Sequence, residues 1–385
     1  RLFVLPRMCR LHQRVLLTVA VSILASFPLA AEPEKPSSEP ARSAYASAAA
    51  LQNREAWDLA SEEWTSLIEL FPNDPLAAKA RYYLGICELK LNKIDRARAA
   101  FAAAIKAGGD ETTLGDARWE LGRSTFLEAE SGKRELYAAA ATALEDFIAK
   151  HPQHRHISDA LYFDGESLWQ SDKKEKAIEV WSGMIQKSPQ ASRLPDALYS
   201  LGVGLAELKK PKEASAALSR HAREFPEHRL AFDVAMWRAD LAVEAGLPAD
   251  ALKLLEPLLK IEPERRADVL LRLGQARFAA GQHALAAEAF EQVARDYSGS
   301  QFASQAAMSA ATSQLEAKQP EKARPWLEGL IKTEGPHQLD AAHLLSTLEL
   351  DAGAPAKAIA AIDAVMPKAK GLPIEPRLMI DRADA

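Results

Sequence analysis

Ala197-Leu198-Tyr199-Ser200-Leu201-Gly202, followed by Ala214, Leu218 and Pro226, is the stretch that decides how this chain folds. A glycine inside a helix costs about 1 kcal/mol against alanine, so a helix that carries one needs a neighbour that comes close. Ala214 and Leu218 lie one turn apart on a single face of a second helix. Pro226 then stops that helix, because proline cannot continue one. The stretch reads as two helices, A and B, packed through a small residue.

The same arrangement returns along the chain. Alanine and a large apolar residue four later occur as Ala60/Trp64, Ala97/Phe101, Ala140/Leu144, Ala177/Trp181, Ala214/Leu218, Ala251/Leu255, Ala286/Phe290, Ala323/Leu327 and Ala358/Ile362. These alanines are 37, 43, 37, 37, 37, 35, 37 and 35 residues apart, a period that belongs to a stacked repeat rather than to a compact catalytic domain. Twelve residues before eight of them stands a small residue: Ala48, Gly85, Gly165, Gly202, Ala239, Gly274, Ala311 or Ser346. Gly122 stands eighteen before Ala140, so that repeat carries a six-residue insertion. Prolines at 72, 152, 189, 226 and 263 follow helix B.

Small residue, twelve-residue step to alanine, bulky residue four later and a proline stop together resemble the tetratricopeptide repeat (TPR) over residues 44 to 367. The period exceeds the usual repeat of about 34 residues, with the extra residues after the proline, as in Phe225-Pro226-Glu227-His228-Arg229. This longer form is similar to bacterial envelope TPR proteins such as the periplasmic partner of the Tol-Pal system and the TPR lipoprotein of the β-barrel assembly machinery. The resemblance implies an all-α, right-handed superhelical solenoid of about nine helix-turn-helix repeats that holds ligands in a concave groove.

Ahead of the repeats, Arg10 and Arg14 precede the apolar run Val15 to Ala25, and Ala30 and Ala31 end it. A basic start, a short apolar run and small residues predict a secretory signal peptide over 1–31, with 1–7 upstream of a start at Met8. The other reading is a retained anchor, although a spanning helix needs about 20 apolar residues. Residues 32–43 are proline-rich and charged, which predicts an extended linker before an array over 44–370. Residues 371–385 resemble the opening of another helix A, so they read as the start of a further repeat or as a truncated tail of a longer protein. With no polar capping helix visible there, the last repeat is expected to be uncovered.

Loss of the four arginines in 1–31 takes the formal charge from −5 to −9, which argues against a nucleic-acid surface. Of the two cysteines, Cys9 lies in the leader and Cys87 inside a helix A, so the mature chain holds one, read as a small core residue.

Helix A presents one face at intervals of three, seven and eleven residues. Three before the small residue come Tyr82, Trp119, Tyr162, Tyr199, Met236, Leu271 and Met308. These are either a groove for an extended peptide or amphipathic helix, or packing between neighbours. Six before it stand Asp116, Asp159, Asp196, Asp233, Asp268 and Asp340, which suit the positive end of helix A and would also make the rim acidic. Glu166 and Asp240 lie one turn on, with Trp169, Glu207, Glu244 and Glu316 beyond; Arg123 and Lys90 oppose them in sign. Some TPR domains grip a C-terminal carboxylate with Lys, Arg and Asn at such positions. Carboxylates here point instead to neutral, apolar or basic ligands.

His151, His154 and His156 cluster in a turn without the further ligands a closed metal site needs, so no metal is expected. His221 takes a core position on helix B and is expected to bond to backbone. The insertion near Glu128 to Arg134 reads as a longer hairpin loop, available for partner contacts or simply tolerated. No nucleophile elbow, phosphate loop, HExxH or paired CxxC occurs, and no cofactor is implied.

The expected function is that of a non-catalytic, exported scaffold binding a protein segment in a bacterial envelope, without nucleic acid and with a membrane only if the leader is kept. The alternatives are the targeting half of a larger enzyme or secretion component and a membrane-anchored regulator. The repeat register has a direct test. Ala251→Phe should destabilise the stack by about 1–3 kcal/mol through overpacking, whereas substituting Glu264 in a turn should do little; chemical denaturation of both variants measures the difference.

Overall fold

The protein is described by a computed structural model covering residues 36–261 and 263–385. The leader expected at 1–31, with Met8 and Cys9, and the first residues of the linker lie outside the described residues. Those described form helices and turns and no strand.

Nine A/B pairs follow one another among the described residues. They are α1 (Glu39–Asn53) with α2 (Trp57–Leu70), α3 (Leu76–Lys90) with α4 (Ile94–Ala107), α5 (Glu111–Glu130) with α6 (Tyr137–Lys150), and α7 (Ile157–Gln170) with α8 (Lys174–Lys187). Next come α9 (Leu194–Glu207) with α10 (Pro211–Glu224), α11 (Ala231–Glu244) with α12 (Pro248–Leu255), and α13 (Arg266–Ala279) with α14 (His283–Asp296). The last are α15 (Ala303–Glu316) with α16 (Pro320–Lys332) and α17 (Gln338–Asp351) with α18 (Pro355–Asp363), after which come α19 (Met366–Ala369) and α20 (Glu375–Asp384). Each helix packs on the next in sequence, and the A helices from α1 to α11 also touch the A helix of the next repeat. In a curved stack the inner layer is the one that crowds, so the A helices line the concave side.

The small residue has a visible cause. A Cβ placed on Gly85 would lie 2.5 Å from the Phe101 ring, on Gly165 2.2 Å from the Trp181 indole, and on Gly202 2.5 Å from Leu218. Gly122 and Gly274 meet Leu144 and Phe290 in the same way, at 2.7 and 2.6 Å. The bulky residue of helix B therefore sits on the backbone of helix A. All nine repeat alanines are fully buried beside it. Cys87 is buried too, and burial pushes its thiol up to about 11.

A second device repeats at the A-to-B turn. Seven residues after the small residue the backbone adopts positive φ, at Glu55, Asn92, Asp172, Lys209, Gly246, Gly281, Lys318 and Gly353. This left-handed residue ends helix A and reverses the chain.

Three expectations change. Residues 39–43 belong to α1, not to the linker: the Ser38 hydroxyl accepts from Ala41 N, Pro40 sits in the first turn, and Ala41 is buried. The insertion is not only a loop, because α5 runs to Glu130, eight residues past Gly122, where α7 ends five past Gly165. A 3-10 turn, Arg134–Leu136, takes up the rest. Glu128 there is buried and gripped by Arg98 and by Lys133, the latter at 2.5 Å, so the insert is bolted into the stack. At the other end the last pair is covered. Leu378 of α20 is fully buried among Ala342, Ile362, Val365 and Ala369, and Asp381 and Arg382 pair with His343 and Asp363.

Gly85→Ala should destabilise the protein although alanine favours helix, because the added methyl meets a ring rather than a movable chain end. Trimming that ring with Phe101→Leu in the same chain should recover part of the loss. Thermal unfolding of the single and double variants reads both effects.

Candidate partner-binding wall

The aspartates of the A helices are where the sequence reading needs most revision. Four of the six accept an arginine from the turn that leads into the next repeat: Asp116 from Arg155 at 2.6 Å, Asp159 from Arg193 at 3.3 Å, Asp233 from Arg265 at 2.7 Å, and Asp196 from Arg229, whereas Asp268 meets Arg272 of its own helix and Arg265 just ahead of it. Arg193 also lies 3.6 Å from Asp196. The carboxylate thus ties one helix A to the start of the next. Asp196 is only 5% exposed and belongs to this strut, not to an open acidic rim. The arginines form a second series, one or two residues ahead of helix A, legible in the sequence beside that of the aspartates.

The apolar ladder divides. Trp119 is buried, stacked on His156 with ring centroids 4.9 Å apart, and Met236 is buried in the core with Phe232 and Leu271. Neither can meet a ligand, since each fills the space between successive repeats. Tyr82, Tyr162, Trp169 and Tyr199 remain half-buried. Cations already rest on two of them: the Arg193 guanidinium lies 5.5 Å from the Tyr162 ring and Lys174 Nζ 4.8 Å from that of Trp169.

One turn further, Glu166 accepts from Ser200 Oγ of the next repeat at 2.5 Å, and burial pushes its carboxyl up to about 7. Asp240 takes both oxygens to Arg272 Nε, at 3.1 and 3.0 Å. Arg123 is held by Glu120 at 2.8 and 2.9 Å. Glu207 lies 3.6 Å from Lys174, and Glu244 is exposed. Between α11 and α13 the wall opens into a cleft of about 580 Å³ lined by Trp237, Asp240, Val243, Glu244, Arg272 and Gln275. Trp237, Arg272 and Gln275 were not singled out from the sequence. Their signal was position on the helix face, since Trp237 stands three residues before Asp240, and Arg272 and Gln275 take the same two positions on α13.

The three clustered histidines turn to different carboxylates: His151 Nδ1 to Glu111 at 2.8 Å, His154 Nε2 to Asp116 at 3.2 Å, and His156 Nδ1 to Asp159 at 3.5 Å. Among the described residues no group of three or more His, Cys, Asp or Glu side chains is placed to hold a metal ion. His221 is fully buried as expected, but its partner is the His228 ring, 3.4 Å away, and not backbone.

Paired helices stacked by small-under-large contacts, with an inner wall of half-exposed aromatics, define a helical-repeat interaction protein. Residues 41–112, 132–192 and 238–301, together just over half of the chain, match the tetratricopeptide repeat family, and the chain belongs to that family. Among solved structures it is similar to a tetratricopeptide repeat protein from Parabacteroides merdae, at 13% identity over 69% of this chain and 98% of that one, with a TM-score of 0.48. It is also similar to PilF of Pseudomonas aeruginosa, at 19% identity over 62% and 97% with a TM-score of 0.44. A third is YrrB, described as a TPR protein with an unusual peptide-binding site, at 17% identity over 57% and 98% with a TM-score of 0.43. No curated protein matches the sequence.

The raised carboxyls have a consequence for stability. Burial lifts both Glu166 and the buried Asp164 to about 7. A carboxyl whose folded pKa is raised contributes stability that is present in full below its unfolded value near pH 4 and is lost as pH rises through 7. Stability should therefore fall between pH 5 and 7, by up to about 1.4 kcal/mol per pH unit for each proton released. Glu166→Gln and Asp164→Asn should each flatten that fall, as read from melting temperature against pH.

Proposed function

We propose that the chain is a non-catalytic scaffold that holds a protein or peptide segment along the concave wall from α7 to α13. The observation that carries this reading is a run of half-buried rings on successive A helices, Tyr162, Trp169, Tyr199 and Trp237, the last of which lines the cleft with Arg272 and Gln275. Rings of this kind supply large contact area at small cost in side-chain freedom and dominate binding hot spots. Among the described residues no helix is long and apolar enough to cross a membrane. The basic and apolar leader supports export, with the array working in the periplasm or elsewhere in a bacterial envelope. If the leader is retained, the same wall faces outward from an anchor.

Neutral or basic segments are preferred. The struts neutralise most of the wall's aspartates and Lys174 offsets Glu207, so the remaining bias comes from Glu166 and Glu244 and is modest. Ionisation of Glu166 near pH 7 adds to that bias as pH rises.

The test is a titration of the full chain with peptides of equal apolar content and varied charge. Basic and neutral peptides should bind tighter than acidic ones, with the difference shrinking in salt. Tyr199→Ala and Trp237→Ala should each weaken binding about tenfold or more, equivalent to about 1.4 kcal/mol. Preference for acidic peptides, or indifference to both ring truncations, would remove the wall as the interface.

A further inference from the structure

Arg81 on α3 and Arg118 on α5 occupy the same place in their repeats, four residues before Gly85 and Gly122. Arg118 is answered within its own repeat. Its Nε lies 3.1 Å from Asp146 Oδ2 and its Nη1 3.3 Å from His151 Nε2. These partners stand six and eleven residues after the repeat alanine, Ala140; six and eleven after Ala97 stand Ala103 and Gly108. Repeat two thus keeps the arginine and lacks both groups that satisfy it. Arg81 Nη1 is buried and has no hydrogen-bond partner among the described residues.

Where the missing side chains would be, an open cleft of about 810 Å³ lies against Ala103, Lys106, Gly109 and the turn at Pro72. Its charged lining is Lys79, Arg81, Lys106, Asp74 and Asp110. Both carboxylates are engaged. Asp74 accepts from Ser38 N and Leu76 N, each at 3.0 Å, and Asp110 caps α5 by accepting from Thr113 N at 2.9 Å and Thr113 Oγ1 at 2.7 Å. Lys79 lies 4.0 Å from Asp110, while Arg81 and Lys106 make no ion pair among the described residues.

We propose that this cleft receives an acidic side chain of a partner polypeptide, whose carboxylate completes on Arg81 the pair that Asp146 makes on Arg118. The class of ligand follows from the occupied twin, where one carboxylate is what the guanidinium takes. A half-buried arginine with one nitrogen cut off from water and unpartnered favours such an occupant, and charge-assisted bonds to arginine are among the strongest available. The two rim aspartates oppose a dianion more than a monoanion, which favours carboxylate over phosphate. The site lies among α3, α4 and the turns beside them, apart from the concave wall, and stands or falls independently of it.

The experiment uses the full chain with 15N-labelled arginine side chains, the Arg81 resonance being assigned by its loss in Arg81→Gln. The probes are N-acetylglutamate amide, N-acetylglutamine amide and inorganic phosphate. The Arg81 resonance should move saturably with the glutamate probe, with half-saturation at least about tenfold lower than for the glutamine probe, and Arg118 should stay still. Ala103→Asp places a carboxylate where repeat three has one. Ala103 is half-buried, with room for the larger side chain. In that variant Arg81 should begin near its saturated position and no longer respond. If Ala103→Asp does not fold, calorimetry on Arg81→Gln decides, the expected result being loss of the discrimination between glutamate and glutamine probes. Equal response to both probes, a response unchanged by either substitution, or tighter binding of phosphate than of the glutamate probe would each overturn the proposal.

Discussion

The structure rests on one contact that recurs along the stack: a residue with little or no side chain on helix A, and a large apolar residue of helix B seated on it, as at Gly85, Gly122, Gly165, Gly202 and Gly274. The separations at Gly85, Gly165 and Gly202 leave no room for a methyl group. Interiors are packed closely enough that such a contact sets the distance between helices and leaves it little freedom. Once each pair has a set thickness, stacking pairs fixes the curvature, and the curvature puts the A helices on the inside. The wall, its rings and its clefts follow from that geometry.

A second set of contacts joins one repeat to the next. Asp116, Asp159, Asp196 and Asp233 each reach an arginine that precedes the following helix A. Each carboxylate serves two purposes, standing in the first turn of its own helix, where negative charge is favoured, and anchoring its neighbour. The wall that looks acidic along the sequence is therefore close to balanced in space, and recognition there falls mainly to the rings.

Much of this was legible because helix packing is periodic. Glycine, alanine and the bulky residue recur at intervals that count helical turns, so the nine pairs, the A-to-B contact and the exposed face of helix A can be read directly. What escaped were contacts between residues of unrelated spacing. Arg229 is 33 residues from Asp196, and His228 meets His221 across a turn, and neither pairing follows from one helix's own period. Trp119 and Met236 share the register of Tyr162 and Tyr199 yet are buried, because how deeply a face sinks depends on the neighbouring repeat. Local composition misled at the ends. Residues 39–43 look like linker but are capped by Ser38, and residues 375–384 look like a beginning but cover the last pair through Leu378. The insertion looked like loop because a change of spacing alone does not say whether residues join a helix or leave it.

The central claim is that the wall's aspartates hold the stack in register. Its most direct test is a double-mutant cycle at Asp196 and Arg229, measured by denaturant unfolding, with Arg220 and Glu224 on one face of α10 as the comparison. The account expects a coupling of about 1 kcal/mol or more between the repeats, against about 0.5 kcal/mol or less for the pair within one helix. A coupling at Asp196 and Arg229 no larger than that of the helical pair would contradict it.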